Sequence, residues 1–299
     1  MFLRGAVAIL TTGLFAFLIY RPHALQGATA APVFPPQRIV SLTLAADEFL
    51  LALVPPQRIA ALTYLADSPR FSNVIIEARS VRSKIWPNAE QVIAQQPDLI
   101  IMAAYVSATA KTLLRETGIP FYELRQYTSL AGVRQNILAV GQAIGANDAA
   151  QALATAMSQR LHTIQQRIAN RPRPRTLYYV GGNFVPGQGT SMDDIIAHAG
   201  GQNVAADAGI SGFTKVSQET LVTLNPTHIF IGGEESDKGI RELLLADPTL
   251  QNVEAIQSGR VHILPPAYVH TLSHHIVNCV EAIAKILHPD AFAVPESQR

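Results

Sequence analysis

Cysteine is nearly missing from this sequence: Cys279 is the single one in 299 residues. That excludes an internal disulfide and any Cys-rich metal motif. Its surroundings, HHIVNCVEAIAKIL, read as a helix, so the thiol is expected to act as a small buried apolar side chain. A charge of one sign is missing too. The 23 Lys and Arg against 22 Asp and Glu leave a formal net charge of +1, and nucleic acid is not an expected partner.

Signatures of nucleotide binding and of nucleophilic catalysis are also lacking. GGNFVPGQGTSMDD leads through glycines into a helix, but it has no Gly-Lys-Ser/Thr ending and does not match G-x-G-x-x-G. It places Asp193 and Asp194 where a bound phosphate would need open N–H groups. GTSMD is not a G-x-S-x-G nucleophile elbow, and nothing in the sequence places a histidine and an acid beside Ser191. An exported enzyme is therefore the weakest reading, and the glycine-rich loop is expected at a lobe surface near a ligand.

What is present begins at the N-terminus. Arg4 precedes an apolar segment, Gly5 to Tyr20, and Ala28-Thr29-Ala30 fits a small-x-small cleavage site. Residues 1–30 read as a signal peptide, with a mature chain from about Ala31. An uncleaved anchor is the other reading: the run is short for a span of about 20 residues, yet it lies far from the proposed cut. The segment holds no cysteine to carry a lipid. The remainder shows no second spanning segment, so a periplasmic body is expected. With 48% hydrophobic residues, that body can bury a substantial core.

Strands alternate with helices along it. PPQRIVSLT (35–43) and PPQRIAALT (55–63) are near-duplicates, each a proline-led entry into a β-branched run. AADEFLLALV between them has helical spacing. LIIMA and IPFYEL follow as strands, with SATAKTLLRETG as a helix whose Gly118 stands at a C-cap position. A long helical stretch from Asp148 ends at RPRPR, which cannot continue a helix. The rhythm then restarts with TLYYV, SMDDIIAHAGG, THIFIGG, IRELLLA and RVHILPP. The expected fold is α/β: two Rossmann-like lobes with mainly parallel sheets, joined by one long backbone helix. The N-terminal lobe covers 36–147, the connecting helix 148–170, the C-terminal lobe 171–289 and a tail 290–299. A closing helix is expected from about Leu272 to Leu287.

One small unit is written twice. NAEQVIAQQPDLII (Asn88 to Ile101) and SQETLVTLNPTHIF (Ser217 to Phe230) each open on a capping residue, carry a glutamate two places on, and pass a proline into an apolar run. Glu90 and Glu219 fall in a first helical turn, where the helix dipole favours a carboxylate by about 0.3–1 kcal/mol. On the residues alone, helix stabilisation is a sufficient reason for both.

The order RIVSLTLAADEFLLAL, RIAALTYLADSP, NAEQVIAQQPDLII resembles the N-terminal lobe of periplasmic solute-binding proteins of ABC importers. The group is the one with a rigid helical backbone that takes cobalamin, ferric siderophores or haem. SQETLVTLNPTHIFI with SGRVHILPPAYVHTLSHHIVNCVEAIAKIL resembles its C-terminal lobe, so the likeness runs from about Pro36 to Leu287. It implies a monomer that captures a cobalt or iron chelate, needs no cofactor of its own and performs no chemistry. It also implies that Glu90 and Glu219 dock onto the two subunits of a permease dimer at the inner membrane.

Ligands of open α/β sheets bind beyond the carboxyl ends of the strands. Those ends lead to Thr43, Tyr64 and Tyr105 in the first lobe, with Trp86 in the loop before Asn88. In the second lobe they lead to Phe184, Tyr268 and His270. Aromatic side chains spread over two lobes suit a bulky ring ligand; capping of the core is the other use of such tyrosines. The resemblance to the cobalamin-binding member places Trp86, across loop gaps, and Tyr268 at or near two aromatic ligand contacts. His270, His274 and His275 cluster after the last strand. For each taken singly a solvated or helix-end role is the first expectation; each also suits haem iron, cobalt, a propionate or a phosphate, and His270 and His275 are taken as candidates. The first lobe has no histidine before His162 and offers a bare divalent metal only carboxylates such as Asp47 or Asp67, which makes a bare-metal carrier the weaker alternative.

Overall fold

The computed structural model describes residues 35–104, 106, 108–233 and 239–293. The expected leader, Tyr105 and the end of the expected tail lie outside these described residues. No helix among them is long and apolar enough to cross a membrane.

The first lobe is a parallel sheet in the order β3-β2-β1-β4-β5, from β1 (Ile39–Ser41), β2 (Ile59–Thr63), β3 (Lys84–Ile85), β4 (Leu99–Ala103) and β5 (Phe121–Leu124). Its strands are apolar on both sides because helices cover both faces. Along β1 and β4 the side chains alternate between two cores. Ile39 and Ile101 enter one that continues into the second lobe, whereas Val40, Ile100 and Met102 enter one confined to the first.

The second lobe contains β6 (Arg175–Tyr178), β8 (Gln202–Asn203), β10 (His228–Gly232) and β11 (Val261–Leu264), parallel and ordered β11-β10-β6-β8. An antiparallel pair, β7 (Phe184–Pro186) with β9 (Phe213–Lys215), stands apart from that sheet. Both main sheets follow the doubly wound α/β plan expected from the alternation.

The connecting helix runs Asn147–Ile168, about 33 Å at 1.5 Å per residue. It packs between two others, Leu130–Ile144 and Ile276–Leu287. The first of these, which strand-and-helix alternation does not single out, begins at a Ser129 cap and ends at Gly145 in a left-handed conformation. Gly141 lets it approach closely, since a Cβ there would stand 2.2 Å from the Ala150 Cβ. The shared core joins Phe49 and Ile137 of the first lobe to Met157 and Ile164 of the connecting helix and to Phe230 and Ile283 of the second. Cys279 belongs to it, fully buried, with its thiol pushed up to about 12 by burial.

Two boundaries differ from expectation for physical reasons. The second proline pair does not enter a strand directly: Pro56–Arg58 forms a 3-10 turn, and Arg58 bonds the carbonyls of Pro36 and Ile144 before β2 starts. The closing helix starts at Ile276 rather than Leu272, because the Thr271 and Ser273 hydroxyls are drawn to Glu48 of the first lobe.

Candidate functional site

A cavity of about 420 Å³ opens between the lobes, beyond the carboxyl ends of β1, β2 and β3. Thr43, Tyr64, Phe71 and Pro87 line it from the first lobe, and His270 and Leu272 from the second. The Thr43 hydroxyl is engaged, accepting the Ala46 N–H to cap the helix Leu44–Leu53. Tyr64 opens a 3-10 turn directly after β2 and is 38% exposed. Trp86, 56% exposed, stacks on it with ring centroids 3.6 Å apart and planes 24° apart. Across the cavity, Phe71 meets the His270 ring edge-on at 5.3 Å, and the Arg70 guanidinium lies 5.7 Å from the Phe71 centroid. Desolvation, aided by the Arg70 cation, holds the His270 imidazole below its ordinary value. A neutral ring nitrogen there can bond a metal or accept a hydrogen bond.

The structure thus brings Thr43, Tyr64, Trp86 and His270 together. Phe184, Tyr268 and His275 do not line that cavity. Tyr268 is half-buried against the shared core. Phe184 is 41% exposed on β7; its cross-strand partner is Lys215, and Phe213, 59% exposed, lies diagonally on the same face. Val180, exposed just beyond β6, belongs to the same end of the second sheet. His275 sits at the start of the closing helix with its ring 4.0 Å from that of His274. Burial holds both below the ordinary histidine value, His274 at about 3.

Glu48 governs the seam between the lobes. Fully buried, it accepts hydrogen bonds from the Asn73 N–H and amide, and from the Thr271 and Ser273 hydroxyls. Four donors fill the acceptor sites of a carboxylate. The Asn73 amide also donates across the seam, to the Ala267 carbonyl at 2.8 Å. Asp194 adds another, its Oδ2 accepting the Leu130 N–H at 2.7 Å. Burial opposes ionisation of Asp194, but His198 and that N–H hold its carboxyl below the usual range.

The carboxylates considered for a bare metal are otherwise engaged. Asp47 accepts the Thr63 N–H and O–H, and burial pushes its carboxyl up to about 7. Asp67 pairs with Lys84 at 3.2 Å. Among the described residues no group of three metal-ligating side chains converges. The glycine-rich loop ends in a helix start, Ser191–His198, that is already covered: Thr190 accepts the Asp193 N–H, and Asp193 accepts from Asn203.

Glu90 and Glu219 are exposed in the first turns of Ala89–Ala94 and Gln218–Leu224. Their caps match: Asn88 Oδ1 accepts the Gln91 N–H at 2.9 Å, and Ser217 Oγ accepts the Thr220 N–H at 3.1 Å. A hydrogen bond from Ser217 lowers the Glu219 carboxyl. Sequence reasoning misses Phe71, Phe213 and Glu48. The first two lie in loop-like SPRFSN and GISGFTK, where no periodicity marks an aromatic as functional, and Glu48 reads as one polar position of an amphipathic helix.

The family model described as periplasmic binding protein matches residues 39–268. A cobalamin-binding protein of Halobacterium salinarum is 28% identical over 206 residues, 67% of this chain and 56% of that protein. A substrate-binding lipoprotein of an ABC transporter in Bacillus subtilis, itself uncharacterised, is 25% identical over 214 residues, 69% of this chain and 66% of its own length. The chain therefore spans between about half and two thirds of these curated relatives. Among solved structures, the apo form of the periplasmic haem-binding protein RhuT from Roseiflexus superposes with a TM-score of 0.72 at 24% identity, covering 85% of this chain and 99% of that one.

Proposed function

The chain belongs to the periplasmic binding protein family, and on that premise we propose that it captures a cobalt or iron chelate between its lobes outside the cytoplasm and delivers it to an ABC permease. The observation that carries the reading is the exposed Tyr64–Trp86 stack at the mouth of the cavity. Flat aromatic surface left open to solvent suits a ring ligand of comparable flatness, with burial of apolar area supplying most of the affinity. Phe184 and Phe213, open at the carboxyl end of the second sheet, supply further ring surface. His270 offers its imidazole to the metal or to a polar side group of the cargo. Among cobalamin, haem and ferric siderophores, a corrinoid is favoured, because the relative from Halobacterium bears that name.

Delivery rests on Glu90 and Glu219, one exposed carboxylate at an equivalent place in each lobe, presented to the two subunits of a permease dimer. The binding protein acts as a monomer, holds no cofactor and leaves the cargo unchanged.

The test is a titration of the domain from Ala31 onward with cyanocobalamin, haemin and a ferric siderophore in turn, following Trp86 emission and the visible spectrum. Saturable submicromolar quenching by one of them is expected. A Soret shift lost in His270→Ala would assign haem with His270 as its ligand. Silence towards all three would sink the chelate reading.

A further inference from the structure

Trp86 is more than half exposed, follows a strand of two residues, and still stacks flat on Tyr64. Two hydrogen bonds hold its backbone, and a third, the helix cap, lies beside them. The Trp86 N–H donates to Gln91 Oε1 at 2.8 Å, the Asn88 N–H donates to the Trp86 carbonyl at 2.7 Å, and the Gln91 N–H donates to Asn88 Oδ1 at 2.9 Å. In a capping box, the residue three places after the cap reaches back to the cap's own N–H. Here Gln91 reaches further, past Pro87, which has no N–H to offer. Helix formation does not require this, since any good helix former would serve at that position. The second copy of the unit lacks the tie: Thr220 stands in the place of Gln91, and Lys215 in the place of Trp86.

We propose that Gln91 is a positioning residue, fastening Trp86 to the first turn of the helix that carries Glu90 and so keeping the aromatic wall stacked before cargo arrives. The wall and the docking carboxylate then form one rigid piece, and a displacement of that helix at the permease moves the wall with it. The cargo consequence rests on the reading of Trp86 as a ligand contact.

Trp86 is the single tryptophan of the chain, so its emission reports on it alone. In the free protein, Gln91→Ala should raise acrylamide quenching about twofold and reduce the near-ultraviolet ellipticity of the stacked pair by about half, as one anchoring bond is lost. Gln91→Glu, which keeps the acceptor, should restore both. Asn88→Ala weakens the helix cap but leaves the Gln91 side chain, and should leave quenching near the wild-type value. Wild-type quenching and ellipticity in Gln91→Ala would overturn the proposal. So would an Asn88→Ala variant that frees Trp86 equally, because Gln91 would then act only through helix integrity. With cyanocobalamin as probe, Gln91→Ala should weaken binding about tenfold through lost preorganisation, and an unchanged affinity would overturn the link to cargo. A wild-type protein that binds none of the corrinoid would count against the cargo reading alone, since the free-protein measurement decides the positioning role by itself.

Discussion

The two copies of the helix–turn–strand unit match beyond what their few identical letters suggest. In each, a polar cap accepts an N–H of the first turn, and a glutamate points outward from that turn. The helix then unwinds through a left-handed residue, Gln96 at φ 49° or Asn225 at φ 37°, immediately before the proline. An arginine from the start of the lobe closes each helix end: Arg38 on the Gln95 and Gln96 carbonyls, Arg175 on those of Leu224 and Asn225. A cation at exposed helix carbonyls satisfies both the unpaired acceptors and the dipole. The copies differ at their entrance, where the first is bonded to Trp86 and the second continues from β9. A shared scaffold thus sets the two glutamates, while the side chain three places after the cap, Gln91 or Thr220, decides whether the residue five places before it is tied to the helix.

The comparison breaks most severely under charge reversal. Glu90→Lys with Glu219→Lys should abolish delivery in a reconstituted transporter while cargo affinity stays unchanged. Each single reversal should cost about tenfold if the lobes dock equivalently. Unimpaired transport by the double variant would end the docking claim.

Next in size is cargo binding. Trp86→Ala should weaken it about 30-fold, about 2 kcal/mol, as for an aromatic anchor, whereas Phe213→Ala should cost ~1 kcal/mol. Calorimetry on both variants separates a wall from a rim, and equal losses would make the two lobes equal partners.

Acid should drive the lobes apart in stability. The first has no histidine in 36–147 and holds Asp47 at about 7 by burial; the second holds His274 at about 3 by burial beside His275 and Arg160. The Asp47 carboxyl gains its proton in the fold before the unfolded chain does, so its contribution rises as pH falls from about 7 towards 3.8. His274 behaves oppositely: the unfolded chain is protonated first, and stability is lost as pH falls from 6.5 towards about 3. Either slope is at most ~1.4 kcal/mol per pH unit. Hydrogen exchange at pH 4.5 should therefore show protection failing first around the closing helix, and His274→Leu should delay that loss.

The smallest effect separates the two left-handed residues. Gln96→Gly should stabilise by about 0.5 kcal/mol, relief of the left-handed cost exceeding the entropy of glycine. Asn225→Gly should not, because Asn225 Oδ1 also accepts the Glu254 N–H at 2.9 Å. Thermal unfolding of both reads the difference.

Much of this molecule was legible from local pattern. Proline punctuation, the 3.6-residue spacing of AADEFLLAL and the run LIIMA place helices and strands because each signal lies within a few consecutive residues. The caps at Asn88 and Ser217 were legible for the same reason, and with them the exposed glutamates. Thr43, Tyr64 and Trp86 could be drawn to one place because parallel strands deliver their exits to one edge.

What the sequence by itself determined is the doubly wound plan, its two repeated units and the strand ends from which a site is built. These follow from periodicity and backbone chemistry that act over a turn or two. Only the tertiary structure decided which aromatics meet. It stacked Trp86 on Tyr64, set Phe71 against His270 from the other lobe, turned Tyr268 to the core, and made Glu48 the bond between lobes across more than 220 residues of chain. Contacts at such separation leave no local mark, since they are selected by the packing of whole elements rather than by neighbours in sequence.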